Sequence, residues 1–414
     1  MINLIKIPSL IIVWATALTA CGGGGNDSVA PSTSFAQASK TPLVPGTTPV
    51  TTPDATLGTA PGTNPGTTPG TSPGAAPLAA GSEPVAGNAM GNFFISAAAQ
   101  AVNTRTPART IGTGTPESCT SAAVVIAVAQ GGVITFNCGT NSVNIKMTST
   151  AKVFNDKPDV TLDGGGLVTL DGGGTTRILY QNTFDFAQVF TSNRCDLQAS
   201  PKLTVQNLTF RHGNSVGQTA EGGGGGAIFV RGGQFKIVSS RFFNNHCDAV
   251  GPDVGGGAVR VLGVPTVFPV YVVSSTFGGA AGLGNECSNG SALSSIGVSY
   301  SVINSLFTHN EAIGTGANPA QAGKPGGGSG GAIYNDGNFF SLQLGGSIFR
   351  DNNANEGGGA VFYVSNDRSG TLAIDTSTFA RNLSRGFETV GFPGFFIIAA
   401  PGQPSSTSST FSLK

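Results

Sequence analysis

Two short motifs alternate along the C-terminal half of the chain, at intervals of about thirty residues. The first is Gly-Gly-Ala followed by an apolar residue, at 225–228, 256–259, 330–333 and 358–361, with a degenerate copy at 290–293. The second is Ser-x-Phe-x-x-Asn, at 240–245, 305–310, 347–352 and 377–382, with Phe210 and Phe277 in weaker copies. Such repeats indicate a solenoid, because each unit buries its apolar side only against its neighbours.

One repeat per turn of a solenoid explains both motifs. Equivalent residues on successive turns would lie about 4.8 Å apart, so the Phe side chains would stack inside. The Asn side chains would form a ladder from turn to turn, and the paired Gly residues would allow sharp bends. We therefore predict an all-β fold, a right-handed parallel β-helix. A β-sandwich with Gly-rich turns is the alternative, but it does not require the same residue at the same place in every unit.

The start of the predicted solenoid has its own pattern. Residues 122–129 predict a short helix, which Gly131 and Gly132 end before an apolar strand at 133–136. A helix here would cap the open end of the strand column. Asp163 and Asp171 each precede three glycines, which predicts turn-forming side chains, with calcium ligation as the alternative.

The N-terminus has the pattern of an export signal. Residues 1–20 combine one lysine with a short apolar run, and the segment 18–21 resembles a bacterial lipobox. The resemblance implies that Cys21 carries lipid and anchors the chain to a membrane. Because Gly22 rather than Asp follows, it also implies the outer membrane and the cell surface. An ordinary cleaved secretory signal is the alternative.

Composition divides the rest of the chain. Residues 21–105 are rich in Thr, Pro and Gly, and they predict a disordered stalk that holds the folded part away from the membrane. Residues 106–400 are assigned to the β-helix and residues 401–414 to a Ser/Thr-rich tail. The net charge is zero and only 10% of residues are charged, so nucleic acid is not an expected partner.

Besides Cys21 the chain has five cysteines, and none of them forms a C-x-x-C pair, so spacing gives no support for a zinc site. Export permits disulfides. We predict bonds between Cys119 and Cys138 and between Cys247 and Cys287, with Cys195 free, although spacing alone leaves the connectivity open. A reactive thiol is the alternative role for the fifth cysteine.

The paired motifs, over residues 116–391, resemble the repeats of polymorphic outer-membrane proteins and, more broadly, the pectate-lyase-like β-helix superfamily. The resemblance implies the fold and carries little about chemistry. Polymorphic proteins have a C-terminal membrane barrel, whereas this sequence ends in the Ser/Thr-rich tail, so the lipid on Cys21 is the expected anchor.

Alignment on the Phe positions predicts two outward columns of side chains. The first contains His212, Asn244, His309, Asp351 and Arg381, and the second, two residues later, contains Asn214, His246, Glu311 and Asn353. The candidate catalytic group is His309, Asp351, Arg381 and Glu311. Asp248, Asp253 and Arg260 form a second candidate group. Neither column contains acidic residues on several consecutive turns, so no metal is expected. Ca²⁺ would be a cofactor only if the protein is a lyase.

Two functions remain open. The first is a non-catalytic, adhesin-like module that binds glycans or surface proteins, which the predicted stalk, the low charge and the uncharged turns favour. The alternative is a polysaccharide lyase or glycoside hydrolase of the pectate-lyase-like type. Scarcity of carboxylates favours binding over catalysis.

Overall fold

The computed structural model of the protein describes residues 83–195, 197–219 and 222–413. The predicted signal peptide, Cys21 and the predicted stalk up to residue 82 lie outside these residues.

A single α-helix, α1 (Ser121–Gln130), is found in the described part of the chain, with 3-10 helices at Ala97–Ala99, Pro116–Ser118 and Phe186–Gln188. Helix α1 begins after Thr120, whose side-chain oxygen accepts a hydrogen bond from the amide of Ala123. It ends at Gly131, which has a φ of 69° and donates its amide to the last turn. The buried side chains of α1 join the main core, so the predicted capping helix is confirmed.

The strands follow in chain order. They are β1 (Arg109–Ile111), β2 (Gly132–Phe136), β3 (Val143–Lys146), β4 (Ala151–Val153), β5 (Asp159–Asp171), β6 (Leu179–Asn182), β7 (Lys202–Arg211), β8 (Ile228–Arg231), β9 (Gln234–Val238), β10 (Arg241–Phe243), β11 (Val259–Leu262), β12 (Val270–Val273), β13 (Thr276–Phe277), β14 (Glu286–Cys287), β15 (Leu293–Ile296), β16 (Tyr300–Ile303), β17 (Leu306–Thr308), β18 (Glu311–Ala312), β19 (Ile333–Gly337), β20 (Ser341–Gly345), β21 (Ile348–Arg350), β22 (Asn353–Ala354), β23 (Val361–Ser365), β24 (Thr371–Asp375), β25 (Thr378–Ala380), β26 (Leu383–Ser384), β27 (Phe395–Ile398), β28 (Ser405–Thr407) and β29 (Thr410–Ser412).

These strands form three parallel sheets along one coil. Sheet A has 17 strands, sheet B has eight (β4, β6, β8, β11, β15, β19, β23, β27) and sheet C has four (β14, β18, β22, β26) among the described residues. Each regular turn contributes two strands to sheet A, one to sheet C and one to sheet B, as in β12 to β15 and in β16 to β19. The predicted parallel β-helix is confirmed.

The Phe side chains of the second motif stack in a single file inside the coil. The file runs through Phe210, Phe242, Phe277, Phe307, Phe349, Phe379 and Phe411, and consecutive ring centroids are 4.5 to 5.1 Å apart. Strand pairing places each Phe directly opposite the next, which is why one identity recurs at one position. The predicted stack is confirmed.

The Asn side chains of the same motif form a buried ladder beside the Phe file. The amide of each Asn donates to the side-chain oxygen of the Asn on the next turn, at 2.8 to 2.9 Å, through Asn245, Asn285, Asn310, Asn352 and Asn382. In the turn of Phe277 the rung is Asn285, because an insertion at 278–284 lengthens that turn. The predicted ladder is confirmed, and it continues across the insertion.

The first glycine of the Gly-Gly-Ala motif occupies a position that no other residue fits. Gly330 has a φ of 70°, and a Cβ added to it would lie against the carbonyl oxygen of Ile333. The other copies have positive φ angles and the same close carbonyl. The motif therefore records a bend that requires both a left-handed backbone and the absence of a side chain.

Replacing Gly330 by alanine should lower the free energy of unfolding by about 3 kcal/mol, because the variant has both backbone strain and a steric clash. Gly297 provides the matched control, since its φ is 65° but nothing lies within 4 Å of an added Cβ. Gly297→Ala should cost only about 1 kcal/mol. Urea denaturation of both variants measures the difference, and equal losses would show that the carbonyl contact is unimportant.

The boundaries of the β-helix differ from the predicted ones at both ends. Residues 83–105, assigned to the stalk, run along the outside of sheet A, and we call this segment the strap. Ala99 of the strap is buried with Val238, Val273 and Ile303, because these outward apolar side chains need cover. Residues 401–414 were predicted to be a tail, but β28 and β29 pair with β24 and β25 as a further turn.

The cysteines follow the prediction with one exception. Cys119 is bonded to Cys138, and Cys247 is bonded to Cys287. The expectation that Cys195 is free is wrong, because no described cysteine is a free thiol. Cys195 is fully buried, which also argues against a reactive thiol there.

Candidate functional site

The predicted outward column lies on a bend that follows each Phe strand. His212, Asn244, His309, Asp351 and Arg381 all have positive φ angles, between 49° and 60°. This left-handed backbone turns the side chain away from the core at the same point of each turn. The pairing of the Phe strands brings His212 and Asn244 onto neighbouring turns, and it brings His309, Asp351 and Arg381 onto three consecutive turns, as the alignment predicts. The turn of Phe277 lies between the two sets.

The candidate group at the C-terminal end of this column is organised around an ion pair. Arg381 donates from Nε to Oδ1 of Asp351 at 2.6 Å and from Nη2 to Oδ2 at 2.8 Å. The hydrogen bonds from Arg381 hold the pKa of Asp351 below its usual value. The Asp351 carboxylate is therefore engaged by Arg381 rather than available as a base.

His309 and Glu311 lie beside this pair without joining it. Nδ1 of His309 is 3.0 Å from the hydroxyl of Thr308, and burial lowers the pKa of the imidazole. Glu311 is exposed and pairs through its backbone with Glu286 and Asn353 in sheet C. The structure brings all four predicted residues into one neighbourhood, and their catalytic role stays a prediction.

The second candidate group does not converge. Arg260 is buried on sheet B and donates to the hydroxyl of Ser294 and to the backbone carbonyl of Asp253, not to its carboxylate. Asp248 instead accepts a hydrogen bond from the amide of Gly217. Arg260 thus secures a covering loop, and the two carboxylates face different partners.

A cleft of about 400 Å³ opens at the N-terminal end of the first column. Its ionisable or amide-bearing lining comes from four neighbouring turns, and consists of Lys146, Asp171, His212, Asn244 and His246. The insertion at 278–284 lies between this cleft and the His309 group, and its Leu283 carbonyl accepts the amide of Asn244. The cleft collects four ionisable side chains, as many as the predicted site does, and it has a measurable volume.

Asp171 is the centre of the cleft and its hydrogen-bonding capacity is largely used. It accepts from Nε of Arg211 at 2.9 Å, from the Gly173 amide at 2.9 Å and from the Asn144 amide group at 3.2 Å. Nδ1 of His212 lies 3.1 Å from Oδ1. Although burial alone would raise it, these bonds hold the pKa of Asp171 below its usual value. The carboxylate is ionised at neutral pH and orients the imidazole.

Asp171 and Asp163 were predicted to form turns with the three glycines that follow each of them. Each carboxylate accepts a hydrogen bond from the backbone amide two residues later, at Gly173 and Gly165. These are the predicted turn-forming contacts. Within the described residues no group of three or more His, Cys, Asp or Glu side chains is arranged to hold a metal ion.

The remaining cleft groups can all donate hydrogen bonds, and the imidazoles and the amide can also accept them. Lys146 is exposed, and no carboxylate lies within ion-pair distance of it among the described residues. Nδ1 of His246 is 3.9 Å from the carboxylate of Glu286, and 41% of the His246 side chain is exposed to solvent. With the Asp171 oxygens occupied, the cleft offers an ammonium, two imidazoles and an amide to an incoming molecule. Such a set matches an anionic or hydroxyl-rich ligand.

Sequence reasoning placed His212, Asn244 and His246 on the correct face but missed Lys146, Asp171 and Arg211. Lys146 and Asp171 lie on turns before Phe210, where the alignment on Phe has no reference. Arg211 directly follows Phe210 and lies outside the two predicted columns. The signal that could have found them is the pairing of the strands before the three-glycine turns, which sets Lys146 opposite Asp171 and Asp171 opposite Arg211. Glu286 was missed because the insertion at 278–284 displaces it.

No family model, no curated protein and no solved structure matches this chain. No helix of the described segments is long and apolar enough to cross a membrane.

Proposed function

We propose that this protein binds acidic polysaccharide through the cleft that contains Lys146, His212 and His246. The observation that carries the proposal is the Lys146 ammonium, which has no carboxylate within ion-pair distance among the described residues and lies beside two imidazoles and an amide. A uronate carboxylate would pair with the Lys146 ammonium, and sugar hydroxyls would bond to the imidazoles and to Asn244. The elongated, regularly spaced side of a β-helix suits a chain of repeating sugars.

The proposal extends to where the protein works. We place it outside the cytoplasm, as a lipoprotein anchored to the outer membrane through Cys21. We relate its β-helix to the pectate-lyase-like superfamily. Two disulfides in the described residues support an oxidising compartment. Surface exposure would bring the cleft to extracellular or host polysaccharides, and a surface protein is the second class of partner that the same face could take.

Lys146→Ala should weaken binding of hexagalacturonate about tenfold, because a charge-assisted contact of roughly 1.4 kcal/mol is lost. The measurement is isothermal titration of the full chain with the oligosaccharide. Affinity should also fall steeply with added salt, since the contact is ionic.

Lys152→Ala is the control, because Lys152 is equally exposed but lies on β4, away from the cleft, with its ammonium 5.6 Å from the Tyr180 ring. It should bind hexagalacturonate as the unmodified protein does. If both lysine variants bind alike, or if no acidic oligosaccharide binds, the proposal is wrong.

One observation favours polysaccharide lyase activity as a second candidate. Asp171 holds Nδ1 of His212, which leaves Nε2 as an acceptor on the cleft side. That nitrogen could take the C5 proton of a uronate while Lys146 neutralises the carboxylate. The C4–O bond would break as the C4–C5 double bond forms, and the leaving glycosidic oxygen would take a proton from water. Release of unsaturated oligosaccharides, lost in His212→Ala and kept in Asp351→Ala, would establish it. If no unsaturated product forms from pectins, alginates or glycosaminoglycans, the lyase candidate is wrong.

A further inference from the structure

A groove of about 340 Å³ lies between the strap and the outer face of sheet A, away from the cleft. The strap contributes Phe93 and Phe94 to its lining, and the outward positions of β12, β16 and β20 contribute Tyr271, Ser301 and Gln343. The outward positions of neighbouring turns thus carry one aromatic ring, one hydroxyl and one amide in a row.

The two aromatic residues of the strap are placed differently. Phe93 is held by Asn304, whose side chain bonds both the amide and the carbonyl of Phe93, and its ring lies against Gly345. Phe94, the next residue, is 79% exposed. An exposed aromatic ring beside a groove provides an apolar face on which a ligand can stack.

The polar side chains of the groove keep unused capacity. The Ser301 hydroxyl donates to Oε1 of Gln343 at 2.9 Å, which fixes the orientation of that amide. Nε2 of Gln343 and the hydroxyl of Tyr271 have no hydrogen-bond partner among the described residues. The oriented amide of Gln343 and the free hydroxyl of Tyr271 therefore border an aromatic surface.

None of the residues that line the groove is charged. A neutral ligand with both apolar C–H faces and hydroxyl edges fits this combination, whereas an anionic sugar would find no cation. We infer that the groove is a second carbohydrate site, which binds a neutral sugar residue against Phe94 and Tyr271 and hydrogen-bonds it through Gln343. The inference goes beyond the proposed function, because the cleft and the groove share no residue and take sugars of different charge.

The test uses the full chain and two neutral probes, cellohexaose and xylohexaose, observed by saturation-transfer NMR and titration. At least one probe should bind, with transfer to its C–H protons. Phe94→Ala and Gln343→Ala should each weaken binding about tenfold. Both side chains are exposed, so both variants should keep the unfolding midpoint of the unmodified protein.

Phe339→Ala is the matched control, because Phe339 is 68% exposed and does not line the groove. It should bind the neutral probe unchanged, and so should Lys146→Ala, which separates this site from the cleft. Equal binding by Phe94→Ala and Phe339→Ala would overturn the inference. So would the absence of binding by both probes at millimolar concentration, which would leave hexagalacturonate binding at the cleft unaffected.

Discussion

Phe307→Ala should lower the free energy of unfolding by about 3–5 kcal/mol, the loss typical of a fully buried Phe. Phe307 has no exposed surface and stacks between Phe277 and Phe349, with centroids 4.7 and 4.5 Å away. Alanine would leave a gap that the flanking turns cannot close, since their separation is set by strand pairing. Urea denaturation of the full chain, followed by circular dichroism, measures the effect.

Two further variants make this result specific. Phe307→Leu should cost clearly less than the alanine variant, because it retains most of the side-chain volume. Phe339→Ala, which removes a ring that is 68% exposed, should change stability by less than about 0.5 kcal/mol. A loss below about 1 kcal/mol for Phe307→Ala would mean that the aromatic file contributes little to holding the turns together.

Asn310→Ala should be nearly as damaging, with an expected loss of about 3 kcal/mol. The side-chain oxygen of Asn310 accepts from the backbone amide and the side-chain amide of Asn285, and its own amide donates to the carbonyl of Phe277. Alanine leaves these three groups unpaired in a dry interior, where each unsatisfied group costs about 1–3 kcal/mol before any relaxation. The same denaturation experiment measures it.

The neighbouring Asn353 provides a control with the same chemistry. Its side chain is only partly buried and its oxygen accepts an exposed hydrogen bond from Arg385. Asn353→Ala should therefore stay within about 0.5 kcal/mol of the unmodified protein. Similar losses at Asn310 and Asn353 would show that burial of the ladder is not what stabilises it.

Most of the architecture could be predicted from the sequence because every turn of a solenoid repeats the same geometry. Stacked positions such as Phe242 and Phe277 share one environment, so selection for that environment repeats the residue. The helix at 121–130 was predictable for a local reason, namely a capping Thr120 and a terminal Gly131. Residues 83–105 were wrongly assigned to the disordered stalk, because their order comes from contacts with Val273 and Ile303. No local sequence pattern indicates these contacts.

The candidate site was predictable only in part. The column of His309, Asp351 and Arg381 followed from the repeat, but the repeat says nothing about partners along the column. Only the three-dimensional arrangement shows that Arg381 donates hydrogen bonds to both carboxylate oxygens of Asp351. The same arrangement shows that Lys146 has no carboxylate within ion-pair distance in the described chain. Lys146 and Asp171 of the cleft lie on turns before Phe210, so the alignment on Phe could not relate them to His212 and His246.

The sequence by itself determined the winding of the chain, the stacked interior and the bends at glycine, since each depends on the identity of one residue at a recurring position. The tertiary structure decided which outward side chains meet, where the strap lies and which polar groups stay unpaired. The reason is that the interior repeats under one constraint on every turn, whereas surface contacts join residues that are distant in sequence and share no periodic rule.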